Sequence, residues 1–143
     1  MPVDPVSIGR SALDVEWQRL QVIAQNLANQ NTSRVAGGGT YRPLHLISGP
    51  AGSFSDLVAA GRNVSAPEGV RVLSVEAGAS EIRRVYDPGH PDADPAGFVA
   101  YPDMDFVSEM TLMAKTARVY ESNLSLIALA QQMNSRALEL GKR

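Results

Sequence analysis

A histidine and two aspartates alternate with other residues in one short, proline-flanked stretch, and they are the first candidates for chemistry. His90, Asp92 and Asp94 offer one imidazole and two carboxylates, which are donor types that hold divalent cations. The spacing lacks the bidentate acid that completes a calcium loop, and no second histidine lies nearby. Proline and aspartate are also the ordinary components of a rigid turn. We therefore interpret the stretch as a turn and expect no metal ion.

Two other arrangements could suggest phosphate binding or nucleophilic catalysis. The glycine-rich run Gly37–Thr40 has no lysine or following helix to complete a phosphate loop, so we interpret it as a linker. A serine nucleophile would need a histidine base, but His45 and His90 are the only histidines and no nucleophile elbow is present. Asp103 and Asp105 precede a helical pattern, where capping explains them. The sequence predicts no enzymatic activity and no cofactor.

The composition excludes further classes of function. The chain has 143 residues, 44% of them hydrophobic, which is the size of one domain. It has no cysteine, so disulfides, thiolate metal sites and cysteine nucleophiles are excluded. Its net charge of −2 gives no excess that would drive binding to nucleic acid or anionic lipid. No apolar run approaches the roughly 18 residues of a membrane span, and we expect no cleaved signal peptide.

Glycine and proline are distributed unevenly along the chain. Residues 35–103 hold 10 of the 12 glycines and 7 of the 9 prolines. Because both residues disrupt helices, the flanks can form long helices while the middle forms turns and short strands. We predict an α+β fold with an N-terminal helical part (1–34), a small β-rich, loop-rich insert (35–103) and a C-terminal helix (104–143). The two helices are expected to pack as a coiled-coil-like pair.

Apolar residues repeat at helical spacing in the N-terminal flank. Steps of 7, 4, 3, 4 and 3 join Val6, Leu13, Trp17, Leu20, Ala24 and Leu27. Such a heptad-like row predicts one apolar helix face, and Val15, Val22 and Ile23 lie outside it. Ser7 is the predicted N-cap, and Asn29 marks the expected end of the helix.

The C-terminal flank carries two apolar rows. The first row contains Phe106, Met110, Met113, Ala117, Tyr120, Leu124 and Ile127. The second row, in steps of seven, contains Leu112, Val119, Leu126, Met133 and Leu140. The rows lie about 100° apart, so roughly half of the helix circumference is apolar. Asp103 or Asp105 is the predicted N-cap, and Gly141 suits the end.

The length of this helix has a consequence for its packing. One helix over residues 104–140 would be about 55 Å long, whereas a compact globule of this size is roughly 37 Å across. A shorter N-terminal helix with one apolar row cannot cover both rows along their whole length. We therefore predict that other subunits cover the helix, and the alternative is a helix that breaks near Asn123 and folds back.

The insert has the composition of short strands. The predicted strands are Thr40–Ile47, Val70–Glu76, Ile82–Tyr86 and Phe98–Tyr101. The last two flank an eleven-residue loop and predict a long hairpin. Residues 49–66, rich in glycine, alanine and serine, are interpreted as a mobile or partner-dependent loop.

Several segments resemble bacterial flagellar axial proteins, the family of rod and hook subunits. The segment AQNLANQNT (24–32) resembles an N-terminal segment that many axial proteins share. The loop YDPGHPDAD (86–94) resembles the characteristic loop of a proximal-rod member. YPDMDFVSEM (101–110) and ARVYESN (117–123) are similar to the C-terminal helix of the same member.

The resemblance implies a structural subunit of the flagellar basal-body rod. Such subunits are exported by the flagellar type III system without a cleaved signal and polymerise in the periplasm into a hollow helical tube that transmits torque. The implied partners are copies of the chain, neighbouring rod proteins and the export apparatus, with no nucleic acid, small-molecule substrate or membrane insertion. Asn26 and Asn29 join the apolar rows as candidate subunit-interface residues. We interpret the loop as a rigid contact with an adjacent subunit, formed by Tyr86, Pro88, Gly89, His90, Pro91, Asp92 and Asp94.

An alternative of another class is a self-contained binding module. Its insert would bind a soluble ligand or protein partner while the helices form a closed coiled coil. This alternative predicts a well-folded monomer or dimer, whereas a rod subunit is expected to have partly disordered ends in isolation.

Overall fold

Two helices flank two β-hairpins in the computed structural model, which describes residues 5–52, 69–79 and 81–141. The elements in chain order are α1 (Pro5–Ala28), β1 (Leu44–Pro50), β2 (Val70–Ala77), β3 (Ile82–Tyr86), β4 (Phe98–Pro102) and α2 (Phe106–Leu140). The order confirms the predicted α+β class with a β-rich insert between long helices. Of the loop predicted over residues 49–66, Gly49 and Pro50 belong to β1, and positions 53–66 lie outside the described residues.

Helix α1 begins two residues before the predicted N-cap. Pro5 occupies its first position, where a helical residue needs no N–H partner and a fixed φ is favourable. Ser7 therefore lies inside the first turn, and its prediction as the cap was wrong. The helix ends at Ala28, where the Asn29 side chain donates from Nδ2 to the Gln25 carbonyl at 2.8 Å. The Gln25 carbonyl also accepts the Asn29 backbone N–H at 3.1 Å, so one asparagine closes the last turn through both its side chain and its backbone.

Helix α2 is continuous and capped at both ends. The Asp105 carboxylate accepts hydrogen bonds from the Ser108 hydroxyl and from the Val107 N–H, the latter at 3.0 Å. The Ser108 hydroxyl and then the Val107 N–H hold the pKa of Asp105 below its usual value. Gly141 caps the other end, as predicted. The 35 residues make a helix about 52 Å long, and the alternative of a break near Asn123 is wrong.

The two helices run antiparallel and form the predicted coiled-coil-like pair. Gly9 faces Ile127 near the start of α1, and the Trp17 and Tyr120 rings lie 6.4 Å apart further along. Near the end of α1, the Asn26 side chain reaches Glu109. The described part of α1 therefore covers α2 only as far as about Ala130, and every residue from 131 to 140 is exposed.

The two hairpins attach differently to the helices. Strands β1 and β2 are antiparallel, with a bulge between Ile47 and Ser48, and α1 packs against both strands. The Arg19 guanidinium of α1 donates to the Leu46 carbonyl at 3.3 Å. Strands β3 and β4 pair in regular antiparallel register, as predicted, and α2 starts just after β4.

The interior of the subunit is small. Among the described residues, the buried hydrophobic side chains are Val15 and Ile23 of α1 and Val99 of β4. Many large apolar side chains of α2 are exposed instead. Since burial of apolar area is the main stabilising term in folding, the separate subunit forgoes much of the stabilisation that its sequence could supply.

Gly9 permits the close approach of the two helices. A Cβ atom at this position would lie 2.6 Å from Ile127 Cγ1, well inside contact distance. We expect Gly9→Val to lower the free energy of unfolding by about 1–3 kcal/mol through overpacking. Thermal unfolding followed by circular dichroism measures the change. Gly37→Val is the matched control, because nothing lies within 4 Å of a Cβ there.

A double-mutant cycle with Ile127→Ala completes this test. Removing the isoleucine side chain creates room for the new valine, so Gly9→Val should cost clearly less in that background. An equal cost in both backgrounds would show that the two helices do not meet at this pair.

Candidate assembly interface

One row of α2 faces α1. Its shielded residues, in steps of 4 and 3, are Glu109, Met113, Thr116, Tyr120, Asn123, Ile127 and Ala130. Thr116 is buried, and the ends and middle of the row are fixed by the contacts of Glu109, Tyr120 and Ile127 with α1. The row forms the internal seam of the helix pair.

The first predicted apolar row divides between this seam and the surface. Met113, Tyr120 and Ile127 lie in the seam, and Ala117 is half-buried beside it. The exposed members are Phe106, Met110 and Leu124, at 46%, 45% and 46%. The division arises because the polar residues Glu109 and Asn123 occupy seam positions, which turns Met110 and Leu124 away from α1.

The second predicted apolar row lies on the surface of the described subunit. Its members are Leu112, Val119, Leu126, Met133 and Leu140, which are 40%, 40%, 58%, 64% and 74% exposed. Exposure rises towards the C-terminal end, where α2 extends past α1. We call this row the outer row. Apolar side chains that line up on one exposed helix face are typical of surfaces that contact another molecule.

Helix α1 buries a different set of residues from its predicted row. Leu13, Leu20 and Leu27 are half-buried, and Trp17 is 54% exposed. The most buried side chains are Val15, Ile23 and Asn26. Helix α1 packs against both α2 and the β1–β2 hairpin, so two faces of it are covered rather than one.

Two hollows lie on the helix pair. An open groove of about 750 Å³ runs along α2 and is lined by Phe106, Val107, Met110, Thr111, Ala114, Lys115, Arg118, Val119 and Ser122. A second hollow of about 390 Å³ is lined by Arg10, Leu13, Asp14, Trp17 and Tyr120. Small-molecule sites usually enclose most of their ligand. These wide surfaces, with apolar floors and a few charges, better fit side chains of another protein.

Asp94 organises the loop between β3 and β4. Its Oδ1 accepts the N–H groups of Ala96 and Phe98, both at 2.9 Å, and its other oxygen meets Arg84. The Phe98 N–H, the Ala96 N–H and the Arg84 guanidinium hold the pKa of Asp94 below its usual value. Gly97 closes the loop at a φ of 82°, where a Cβ would meet the Tyr86 ring at 2.9 Å. The loop therefore has a defined conformation of its own.

His90 and Asp92 connect the same loop to the segment after α1. The Ser33 hydroxyl donates to Asp92 Oδ2 at 2.7 Å, and the Arg34 guanidinium lies 3.8 Å from the other oxygen. His90 Nδ1 accepts the Asp92 N–H at 3.1 Å, and its ring lies 6.3 Å from that of Tyr101. Across residues 5–52, 69–79 and 81–141, no three His, Asp or Glu side chains are grouped to hold a metal ion.

The outer side of this loop and hairpin presents aromatic and arginine side chains. Tyr86 is 65% exposed and its ring meets that of Phe98 at 5.3 Å, while the Arg84 guanidinium lies 5.0 Å from the Phe98 ring centre. Pro88, Gly89 and Pro91 are exposed as well. Aromatic and arginine residues are enriched at protein interfaces. Of the residues predicted to contact a neighbouring subunit, Asp92 and Asp94 form hydrogen bonds within the subunit, and the exposed ones are Tyr86, Pro88, Gly89 and Pro91.

The roles of the two asparagines in the segment NLAN could not be obtained from apolar periodicity. Asn29 ends α1, and its Oδ1 accepts a hydrogen bond from the Thr32 hydroxyl at 3.1 Å. Asn26 is buried, with partners from three parts of the chain. The spacing of three between Asn26, Asn29 and Thr32 was the only local signal, because it places polar side chains at the end of a helical pattern.

Neither described helix combines the length and the apolarity needed to cross a membrane.

Comparison with known proteins identifies relatives over almost the whole chain. No protein-family model matches it. It is 33% identical to the flagellar basal-body rod protein FlgC of Borreliella burgdorferi, over 94% of each chain. It is 31% identical to the protein of that name from Bacillus subtilis, over 96% of each, and 30% identical to that of Agrobacterium fabrum, over 98% of each.

The lowered pKa of Asp94 predicts how the loop responds to pH. Because the folded-state pKa is below the unfolded value of about 3.9, its stabilising effect is present above that value and is lost as pH falls through the folded-state pKa. In an NMR titration, the amide resonances of Ala96 and Phe98 should shift with a midpoint pH below the ordinary aspartate pKa of about 3.9. Asp94→Asn should abolish the transition. A midpoint at or above the ordinary aspartate value would contradict the observed hydrogen bonding.

Proposed function

Because the chain belongs to the family of the flagellar basal-body rod protein FlgC, and is a structural subunit of that rod, we propose that its exposed apolar surface drives polymerisation. The outer row of α2 would be covered by further copies of the chain and by neighbouring rod proteins. The observation that carries the proposal is the alignment of Leu112, Val119, Leu126, Met133 and Leu140 on an uncovered face of a helix.

The energetics favour a partner on this face. Complete burial of one leucine contributes about 1.5–3 kcal/mol, and the outer row contains three leucines, one valine and one methionine. The row and the seam lie on different faces of α2, so one subunit can contact α1 internally and a neighbour externally. Contact between unlike surfaces of identical subunits forms a helical polymer when successive rotations do not close into a ring.

The same surface explains a change in order on assembly. A free subunit exposes Leu126, Met133 and Leu140, and ordering the C-terminal part of α2 costs conformational entropy with little burial in return. Docking on an earlier subunit would offset that cost. We propose that both terminal helices are partly disordered before assembly, which suits export in an unfolded state by the flagellar type III system, without a cleaved signal.

The loop between β3 and β4 is the proposed second contact. Its internal hydrogen bonds to Asp94 and its tie from Asp92 to Ser33 hold the loop rigid, so little entropy is lost when it binds. The exposed residues Tyr86, Pro88, Gly89 and Pro91 would then meet an adjacent rod subunit. His90 supports this face through its contacts with Asp92 and Tyr101.

The proposed role is mechanical rather than enzymatic. Subunits joined in a hollow periplasmic tube would transmit torque and surround the export channel, with no substrate and no cofactor. The partners are other copies, neighbouring rod proteins and, during secretion, the export apparatus. No binding of nucleic acid or insertion into the membrane is part of this proposal.

Leu126→Asp tests the assembly surface without disturbing the helix pair. Leu126 is 58% exposed, so the aspartate is tolerated in the free subunit but leaves a charge in a buried contact. Losing about 1.5–3 kcal/mol weakens each contact roughly ten- to hundredfold. In cells that lack the native gene, we expect variant chain in the periplasm, little chain in isolated basal bodies, and no swimming in soft agar.

Ser125→Asp is the matched control. The serine is also exposed on α2 but lies outside both apolar rows, so this variant should swim normally. Normal swimming of Leu126→Asp would overturn the proposed surface. A well-folded soluble monomer that never enters basal bodies, even without substitution, would favour the binding-module alternative.

A further inference from the structure

Asn26 is a polar side chain in the most enclosed position of the last turns of α1. It is only 1% exposed, which is less than any apolar residue of that helix. A buried amide destabilises a fold unless all of its donors and acceptors are paired. Its presence there, instead of a leucine that would continue the apolar packing, calls for a specific role.

The amide of Asn26 uses its full capacity for hydrogen bonds. Nδ2 donates to the Leu44 carbonyl at 2.9 Å and to Glu109 Oε2 at 3.4 Å. Oδ1 accepts from the Leu44 N–H at 2.8 Å and from the Tyr41 hydroxyl at 2.9 Å. Two donors and two acceptor positions are all that an asparagine side chain offers. We call these four residues the amide junction.

The bonds to Leu44 resemble the pairing between two strands. Leu44 is the first residue of β1, and its N–H and carbonyl both bond to the same side-chain amide, as they would to one residue of a neighbouring antiparallel strand. Asn26 therefore fixes both the position and the direction of β1 where it leaves the preceding loop. The remaining bonds add the loop through Tyr41 and the start of α2 through Glu109.

Tyr41 and Glu109 complete the junction electrostatically. Burial and the negative charge of Glu109 raise the pKa of Tyr41 further above neutral pH, in keeping with a hydroxyl that donates to Asn26 Oδ1. Glu109 faces the Nδ2 hydrogens of the amide and not its oxygen. Each donor in the junction therefore has an acceptor, and each contact crosses between different elements of the fold.

We infer that Asn26 is the positioning residue that couples docking of the β1–β2 hairpin to formation of the helix pair. Without it, Leu44 and Tyr41 would lose partners. The polar ties that remain between α1 and the hairpin are those of Arg19 with Leu46 and Ser48 and of Ser11 with Val70, towards the other end of β1 and β2. The helix pair itself would persist, because Gly9–Ile127 and Trp17–Tyr120 lie elsewhere along α1. The inference concerns folding of the subunit and does not depend on its polymerisation.

Two measurements on the full-length chain follow the helix pair and the docking of β1 separately. Trp17 is the only tryptophan and lies beside Tyr120, so its fluorescence reports the helix pair. Amide exchange in peptides covering Leu44–Pro50 reports docking of β1. Folding is driven at low protein concentration with trimethylamine N-oxide, an osmolyte that favours burial. In the wild-type chain, both probes should change with the same midpoint.

Asn26→Leu should separate the two probes. The Trp17 transition is retained, while exchange in β1 becomes at least tenfold faster at osmolyte concentrations where the helix pair is formed. Tyr41→Phe removes one hydrogen bond and leaves the helix packing intact, so it should speed the same exchange by about fivefold. Asn31→Leu, at an exposed asparagine in the following turn, is the control and should change neither probe.

Three outcomes would overturn the inference. The first is β1 exchange within twofold of wild type in Asn26→Leu. The second combines two results: Asn26→Leu loses the Trp17 transition and the protection of β1 together, and Tyr41→Phe leaves β1 exchange unchanged. Asn26 would then be an ordinary core residue. The third is a wild-type chain whose two midpoints differ.

Discussion

The two helices of this subunit differ in length, and the rest of the structure depends on how they pair. Helix α1 has 24 residues and α2 has 35, so an antiparallel pair leaves roughly 15 Å of α2 beyond its partner. Only one face of α2 meets α1, although apolar residues occupy a second face as well. A subunit built in this way cannot satisfy its own hydrophobic surface. A structural rod protein needs that property, since growth continues only if every added subunit presents a new surface.

The insert uses polar residues where the helices use apolar ones. Asn26 of α1 bonds to β1 and to α2, Asp92 joins the β3–β4 loop to the segment after α1, and Asp94 fixes that loop internally. Hydrogen bonds are directional, whereas hydrophobic contacts are not. Polar contacts therefore specify much of the internal geometry of the insert, and the outer row of α2 stays uncovered within the subunit.

Much of this architecture could be predicted from the sequence, but the orientation of its elements could not. The absence of proline and the steps of 4 and 3 predicted both helices. Asp103 or Asp105 was the predicted start of α2 and Gly141 its end, and the structure selects Asp105 as the cap. The sequence did not show which face of α2 packs against α1, because Glu109 and Asn123 of that face are polar and add nothing to an apolar pattern. Asn26 was predicted at a subunit interface, and its role inside the subunit was missed because its partner Glu109 is 83 residues away, a separation at which no local pattern carries information. The candidate surface was accessible to prediction because it is a regular apolar row.

The most direct test of the account is the accessibility of the outer row in assembled rods. The chain has no cysteine, so single cysteines at Leu126, at Gly89 in the loop and at Ser125 as control can be labelled individually with a maleimide. If neighbouring subunits cover these positions, Leu126→Cys and Gly89→Cys should react at least tenfold more slowly in isolated basal bodies than in the soluble subunit, while Ser125→Cys changes much less. Equal labelling of Leu126→Cys in both states would contradict the claim that neighbouring subunits cover the outer row.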